Sequence, residues 1–313
     1  MADTNMKTLG NRDLSKIRWS YSRRSTFEQC PRKYYLSYYG HRNDQVVSDS
    51  DKEQIKFLHD IPNRHLRIGS IAHLVIRTFF KRAQKGDVWN AQRLIKWAAK
   101  MLIEDRYQSR KNPDGTHWPN IKYPPKLLLE HYYGHADVER DYDEAANKLK
   151  IAIMNFATSP AFQTFLENGV REGALVEHWM DIPDFPCGVI GQIDLAYKND
   201  DVVTVVDWKI GQDDGQGEDS LQLAAYALWA VTHFNVPAEK VQVYKAFLSS
   251  EECVPFTIDA SKLEAAKIRI IQDADRMSAM EDYGQRAIKA AFTPCYQPKI
   301  CHLCSFQELC YGE

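Results

Sequence analysis

The sequence predicts an α/β (α+β) fold: a mixed central sheet flanked by helices, with a largely helical first half. Three observations carry this expectation. Apolar residues recur at helical spacing through most of the chain before residue 170. After Gly173, short β-branched runs alternate with Pro/Gly/Asp turns and then with helical patterns. Four of the seven cysteines crowd into 295–310, so the tail is organised by something other than a hydrophobic core.

Residues 1–42 hold nine Lys or Arg against three Asp or Glu, so a basic leading segment precedes a mildly acidic remainder in a chain of net charge −2. Such asymmetry can steer a polyanion to one face. Residues 44–60 are polar and acid-rich and read as a surface loop. Ile68, Ile71, Ala72, Val75, Ile76 and Phe79 define a helix over 68–80, and a second helix covers 91–108. The proline-rich stretch 112–125 is a loop, and helical periodicity resumes over 139–166. Strands follow at Leu175–Ile182, 189–198 and Val202–Lys209, then a helix at Ser220–Phe234, strands at 240–248 and 253–258, and a helix over 261–283. No run of about 18 apolar residues occurs and the first residues lack a signal-peptide core, so the expectation is a cytoplasmic protein with no membrane partner.

The strand pair carries the chemistry. With Asp200-Asp201 as a two-residue hairpin loop, Asp194 falls directly opposite Asp207, their Cβ atoms about 5 Å apart. Lys209 projects from the same face as Asp207. Facing carboxylates destabilise a sheet unless a cation or water separates them. Such a pair makes a hard oxygen site suited to Mg²⁺ or Mn²⁺, which can polarise a phosphate and acidify a water. A three-residue turn would shift the register and leave a surface salt-bridge group instead.

Gly191-Gln192-Ile193-Asp194 followed by Val206-Asp207-Trp208-Lys209 resembles the GxID…DxK core of the PD-(D/E)XK nuclease superfamily. Gly69-Ser70-Ile71-Ala72-His73 and Gln222-Leu223-Ala224-Ala225-Tyr226 resemble the GxxxH and QxxxY helices of its RecB-like branch, in the family's order. The resemblance implies a restriction-endonuclease-like sheet, with a helical insertion between His73 and the strands. It implies His73, Asp194, Asp207 and the Trp208 carbonyl as ligands of Mg²⁺ or Mn²⁺. Lys209 would then position the attacking water, and Gln222 and Tyr226 would contact the substrate backbone. Glu177, on the preceding strand, is an accessory acidic candidate. Gln222 and Tyr226 share a helix face by spacing, and the absent side chain at Gly69 would let another element approach near His73.

Cys301-x2-Cys304-x5-Cys310 and a lone Cys30-Pro31 give four thiolates, which suit zinc or an iron–sulfur cluster without distinguishing them. With Tyr34-Tyr35-Leu36 after Cys30, the pattern resembles iron-staple exonucleases of the RecB-like branch, which include CRISPR-associated adaptation exonucleases and AddB-type subunits. That resemblance implies a [4Fe–4S] cluster on Cys30, Cys301, Cys304 and Cys310, with Cys295 a spare nearby. The chain then divides into a basic segment with the first cluster cysteine (1–43), an acidic loop (44–65), a helical region (66–170), a nuclease core (171–290) and a cluster tail (291–313), one integrated domain closed by the cluster.

The function expected is a metal-dependent DNA exonuclease acting on single strands or free ends, in repair, recombination or CRISPR-linked defence. No G-x4-G-K-[ST] phosphate loop occurs, so the chain has no helicase motor of that kind, and a separate helicase or a defence or CRISPR protein is an expected partner. Arg23, Arg24, Arg32, Lys33 and Tyr34 form an expected DNA-binding patch. The alternatives are a non-catalytic DNA-end-binding or assembly subunit and a defence endonuclease.

Overall fold

The computed structural model describes residues 14–41, 48–116, 124–211, 220–280 and 287–311. The chain opens with β1 (Arg18–Trp19), α1 (Tyr21–Gln29), α2 (Pro31–Tyr35), a π-helical turn (Leu36–Gly40) and α3 (Asp49–His59). A helical run follows: α4 (Arg64–Ala83), α5 (Ala91–Lys111), α6 (Leu129–Tyr132), α7 (Val138–Thr158) and α8 (Pro160–Arg171). Next come β2 (Leu175–Ile182), β3 (Gly188–Asn199), β4 (Val202–Lys209), α9 (Ser220–Phe234), β5 (Val241–Phe247) and β6 (Glu252–Phe256). The described chain ends in α10 (Ala260–Ser278), α11 (Pro298–Cys301) and α12 (Glu308–Tyr311).

The six strands form a mixed sheet in the order β1-β3-β4-β5-β6, with β2 also paired to β3. β3 and β4 are the expected antiparallel hairpin, with Asn199 opposite Val202 and Leu195 opposite Val206. Asp200 adopts a φ of 51°, the left-handed conformation that two-residue hairpin loops require and that Asp tolerates. β4 then pairs in parallel with β5, and β5 antiparallel with β6.

The chain forms two compact units of interleaved segments, 1–60 with 179–191 and 260–313, and 61–178 with 192–259. In the second, β4 is buried on both faces, which explains its nearly unbroken apolar sequence. Val203 and Val205 lie on the face that α9 covers. Val206 and Trp208 join the core built from α4, α5, α7 and α8. The Trp208 ring meets Phe156, Phe162 and Phe165 edge-on at centroid distances of 5.5, 5.6 and 6.2 Å. In the first unit, β1 runs parallel to the start of β3, and α10 packs on β1.

Three expectations are corrected. The acidic loop over 44–65 contains α3, capped by Ser48, whose hydroxyl accepts from the Asp51 amide at 3.2 Å. Its Ile55 and Leu58 are buried at helical spacing, and that apolar pair outweighs the acidic composition. The helical stretch over 139–166 is two helices, broken where Ser159 caps α8 and Pro160 takes its first position. Gly69 does not admit a neighbouring element, since a Cβ built there would meet nothing within 4 Å. The end of the helix expected over 261–283 lies outside the described residues beyond 280.

Candidate active site

Within the second unit, the end of the β3–β4 hairpin gathers the titratable side chains. Continuing the hairpin register past Leu195 and Val206 brings Asp194 opposite Asp207. Both are buried, at 6 % and 1 % exposure. One Asp194 oxygen, Oδ2, accepts the Trp208 amide at 2.8 Å and so ties the two strands together. Its other oxygen lies 3.3 Å from His73 Nδ1.

His73 reaches this point from α4, whose apolar face buries Ile68, Ile71, Ala72, Val75 and Ile76 and leaves the imidazole at its edge. His73 Nδ1 also lies 2.9 Å from Glu177 Oε1. Glu177 sits in β2 with a φ of 50°, a conformation that non-glycine residues adopt only when their surroundings enforce it. Part of that enforcement is visible, since Gln192 Nε2 donates to the Glu177 carbonyl at 3.2 Å. Among the described residues, His73, Glu177 and Asp194 form the group whose donor atoms all lie within 4.8 Å of one another.

Across the hairpin, Lys209 Nζ stands 3.0 Å from Asp207 Oδ2. That oxygen is fully buried and accepts no well-directed hydrogen bond, so its charge is balanced but its lone pairs are unused. Lys209 donates to Gln222 Oε1 at 3.2 Å, Gln222 Nε2 donates to the Tyr226 hydroxyl at 2.8 Å, and that hydroxyl donates to the Gln192 carbonyl at 3.0 Å. The chain of bonds runs from the ammonium to the residue that braces Glu177.

The electrostatics follow from this crowding. Burial opposes a charged imidazole at His73, but the carboxylates of Asp194 and Glu177 outweigh it and hold its pKa well above the ordinary value. Burial pushes the Asp207 carboxyl up, to about 6, against the pull of Lys209, and the Asp194 charge adds to the rise. Burial, with the charges of Asp207 and Asp194, also raises the Tyr226 hydroxyl well above its usual value. One imidazole nitrogen among carboxylate oxygens, beside a buried oxygen with unused lone pairs, is a donor set that fits a hard divalent ion. A cavity of about 530 Å³ lined by His65, Ile68, Lys148, Ile151, Ile210, Gly211 and Ser249 opens beyond the end of β4.

The structure thus brings together His73, Glu177, Asp194, Asp207, Lys209, Gln222 and Tyr226. Tyr226 is 5 % exposed and its hydroxyl is engaged internally, so it braces the site where substrate contact was expected. Gln192 was not singled out from the sequence. Its signal was its place two residues before Asp194, on the same face of the strand.

The expected DNA-binding patch is corrected in the first unit. Tyr34 is 0 % exposed, packed against Phe27, Tyr38, Tyr39 and Phe292, and cannot stack on a base. Arg32 is buried and donates to the Phe292 carbonyl at 2.8 Å. Arg24 is paired with Glu28 at 2.9 Å and Asp273 at 3.1 Å. Arg23 donates to the Arg18 carbonyl at 3.2 Å and lies 4.2 Å over the Tyr38 ring.

In the same unit Cys30, Cys301, Cys304 and Cys310 line one cavity together with Cys295, Lys33, Leu36 and Ile300. None of the five cysteines is in a disulfide. Cys30 begins α2 as its cap, its sulfur accepting from the Lys33 amide at 3.4 Å. Burial raises the Cys295 thiol, and the neighbouring Cys30 and Cys301 add to the rise, so Cys295 belongs to the same cluster of thiols.

No curated protein matches this chain. Among solved structures, it is similar to a provisionally named exonuclease from Eubacterium rectale, with 12% identity over 90% of this chain and 91% of that one and a TM-score of 0.40. The model of the PD-(D/E)XK nuclease superfamily matches residues 18–311, nearly the whole chain. The mixed six-stranded sheet is accordingly of the restriction-endonuclease-like kind. With the matched model spanning the hairpin, the His73 helix and the cysteine tail alike, the chain belongs to the PD-(D/E)XK nuclease superfamily.

Proposed function

We propose that this nuclease is a divalent-metal-dependent DNA exonuclease acting on single strands or free ends. The observation that carries the reading is the convergence of His73, Glu177 and Asp194 on one point, opposite the buried Asp207 and its half-buried partner Lys209. Imidazole and carboxylate donors at that spacing suit Mg²⁺ or Mn²⁺ held by His73, Glu177, Asp194 and Asp207, with the Trp208 carbonyl beside them. An ion bound there supplies charge neutralisation at the scissile phosphate and acidifies water. Lys209 orients the attacking water and offsets charge as it builds on the phosphate oxygens. Gln222 fixes the ammonium of Lys209, and Tyr226 and Gln192 brace Gln222 and Glu177, so their contribution is positioning.

The cysteine cavity supports a [4Fe–4S] cluster on Cys30, Cys301, Cys304 and Cys310 as a structural tie within the first unit. A tetrahedral zinc, with Zn–S bonds of about 2.3 Å, draws its thiolates to about 3.8 Å from one another. All four cysteines line one cavity, and the choice of the cluster over zinc rests on the resemblance of Cys30-Pro31 and Cys301-x2-Cys304-x5-Cys310 to the iron-staple pattern.

The test is digestion of labelled linear and circular single-stranded DNA with Mn²⁺ by anaerobically purified protein, beside Asp194→Asn. Degradation of linear strands alone, lost in the variant, supports the proposal. Cutting of circles indicates an endonuclease, and equal activity in the variant removes the site. Stoichiometric zinc without iron in the anaerobic preparation removes the cluster.

A further inference from the structure

We propose that the second half of α4 and the first half of α5 form a track for the sugar–phosphate backbone of the strand being processed. The inference rests on the nucleic-acid reading of the His73 site and extends it to residues outside that site. Between 61 and 103 the chain holds nine Lys or Arg and a single acid, Asp87, in a protein whose net charge is −2. Lys81, Lys85, Lys96 and Lys100 are exposed, and among the described residues no acidic group pairs with any of them. The contrast with the rest of α5 is sharp. There Arg106 pairs with Glu139 and, at 2.7 Å, with Asp143, and Arg110 lies 3.5 Å from Glu139. Compensation by α7 therefore stops partway along α5 and leaves its first half cationic.

Folding accounts for only part of this arrangement, since the last turn of α4 favours Lys81 and Arg82, but Lys96 and Lys100 lie inside α5, away from its C-terminus. Like charges four residues apart, as in Arg77 with Lys81 and Lys96 with Lys100, destabilise a helix by a few tenths of a kcal/mol. Two guanidiniums are also held in place. Arg82 and Arg93 lie over the Trp89 ring at 4.4 and 4.0 Å. Asp87 pins this clasp, accepting from Arg82 at 2.6 Å and from Trp89 Nε1 at 3.2 Å. The one acid of the region is thus committed to positioning an arginine and leaves the lysines uncompensated. Exposed lysines without acidic partners on two helices that pack together, beside two arginines held over Trp89, suit a repeating polyanion, which gains affinity by releasing counterions.

Geometry links this surface to the catalytic residues. His73, Arg77 and Lys81 are spaced four residues apart along α4, each about 40° further round the helix, and Lys81 lies about 12 Å along the axis from His73. At about 3.4 Å of rise per stacked nucleotide, a strand must extend roughly four nucleotides from the site to reach it. Short substrates should therefore be indifferent to the track, and long ones should depend on it.

The experiment compares the wild type with a triple variant, Lys81→Gln, Lys96→Gln and Lys100→Gln, and with the corresponding Arg triple variant. Binding of a labelled single strand of about 20 nucleotides is followed without divalent metal across a salt series. Three lost phosphate contacts should flatten the slope of log affinity against log salt by about 2, and the Arg variant should restore it. With Mn²⁺, the KM for the long strand should rise about tenfold in the Gln variant, with the trinucleotide KM and both kcat values unchanged. A wild-type slope and KM in the Gln variant overturn the track, as would happen if the surface served an acidic protein partner. Equal losses on both substrates also overturn it, since they would show general damage to the site. Failure of the wild type to cleave either strand removes the nuclease reading instead, and the metal-free slope still decides the track.

Discussion

Proton and metal should compete for the same point, and pH is the perturbation that reveals it. In the metal-free protein His73 holds its proton between Glu177 at 2.9 Å and Asp194 at 3.3 Å, so a divalent ion must displace that proton. Below the raised His73 pKa, Mn²⁺ affinity should therefore fall about tenfold for each unit of acidification, about 1.4 kcal/mol. Below about 6, Asp207 carries a proton as well, and the loss should steepen towards a hundredfold per unit. The assay is titration of the metal-free protein with Mn²⁺ from pH 5 to 8, following free Mn²⁺ by electron paramagnetic resonance. His73→Asn should weaken binding and lower the order of the pH dependence by one proton. An affinity flat between pH 6 and 7, or an unchanged order in His73→Asn, would refute the reasoning.

The same groups fix the sign of stability against pH. Both are raised on folding, so the folded, metal-free protein binds more protons than the unfolded chain. The His73 contribution is complete below 6.5 and is lost as pH rises through its higher folded value. That of Asp207 is complete below 3.8 and is lost through about 6, a change on the order of 3 kcal/mol. The melting temperature of the metal-free protein should fall from pH 5 to pH 8, and Mn²⁺ should reverse that trend. A metal-free protein that gains stability over this range would contradict the placement of these side chains.

Three substitutions test other parts of the structure. Lys209→Met should lower turnover by about 10²–10³ while Mn²⁺ binding persists, and unchanged turnover would remove Lys209 from the chemistry. Trp208→Ala should cost about 3–5 kcal/mol in denaturant unfolding, because it empties the space between Phe156, Phe162 and Phe165, and a loss under 1 kcal/mol would mean that this core is not packed as described. Gly69→Ala should stabilise α4 by about 0.5–1 kcal/mol, since the new methyl meets nothing within 4 Å, and a destabilised variant would reveal a neighbour at that position.

The sequence by itself determined the hairpin and its chemistry. A two-residue loop and a side-chain period of two leave one register that buries the valines, and that register places Asp194 opposite Asp207. It also determined β2 to β6, α9 and the described part of α10, because buried elements write their period into the order of apolar residues, but not the short α11 and α12. The break at Ser159-Pro160 was equally local, a serine cap before a proline, but continuous periodicity concealed it. Tertiary structure alone decided the rest. Glu177, an accessory candidate in the sequence, meets His73 Nδ1 at 2.9 Å from a strand that takes a positive φ at that residue, and no spacing in the sequence encodes that conformation. Tyr34 and Arg32 looked like a nucleic-acid patch because composition reports charge and aromaticity without burial, and they are interior. The uncompensated cations of α4 and α5 were legible as a count, but their meaning depended on α7 bringing its acids to Arg106 and Arg110 and not to Lys96 and Lys100. Local physics fixes which face a side chain takes, whereas only the packing of distant segments fixes which charges it meets.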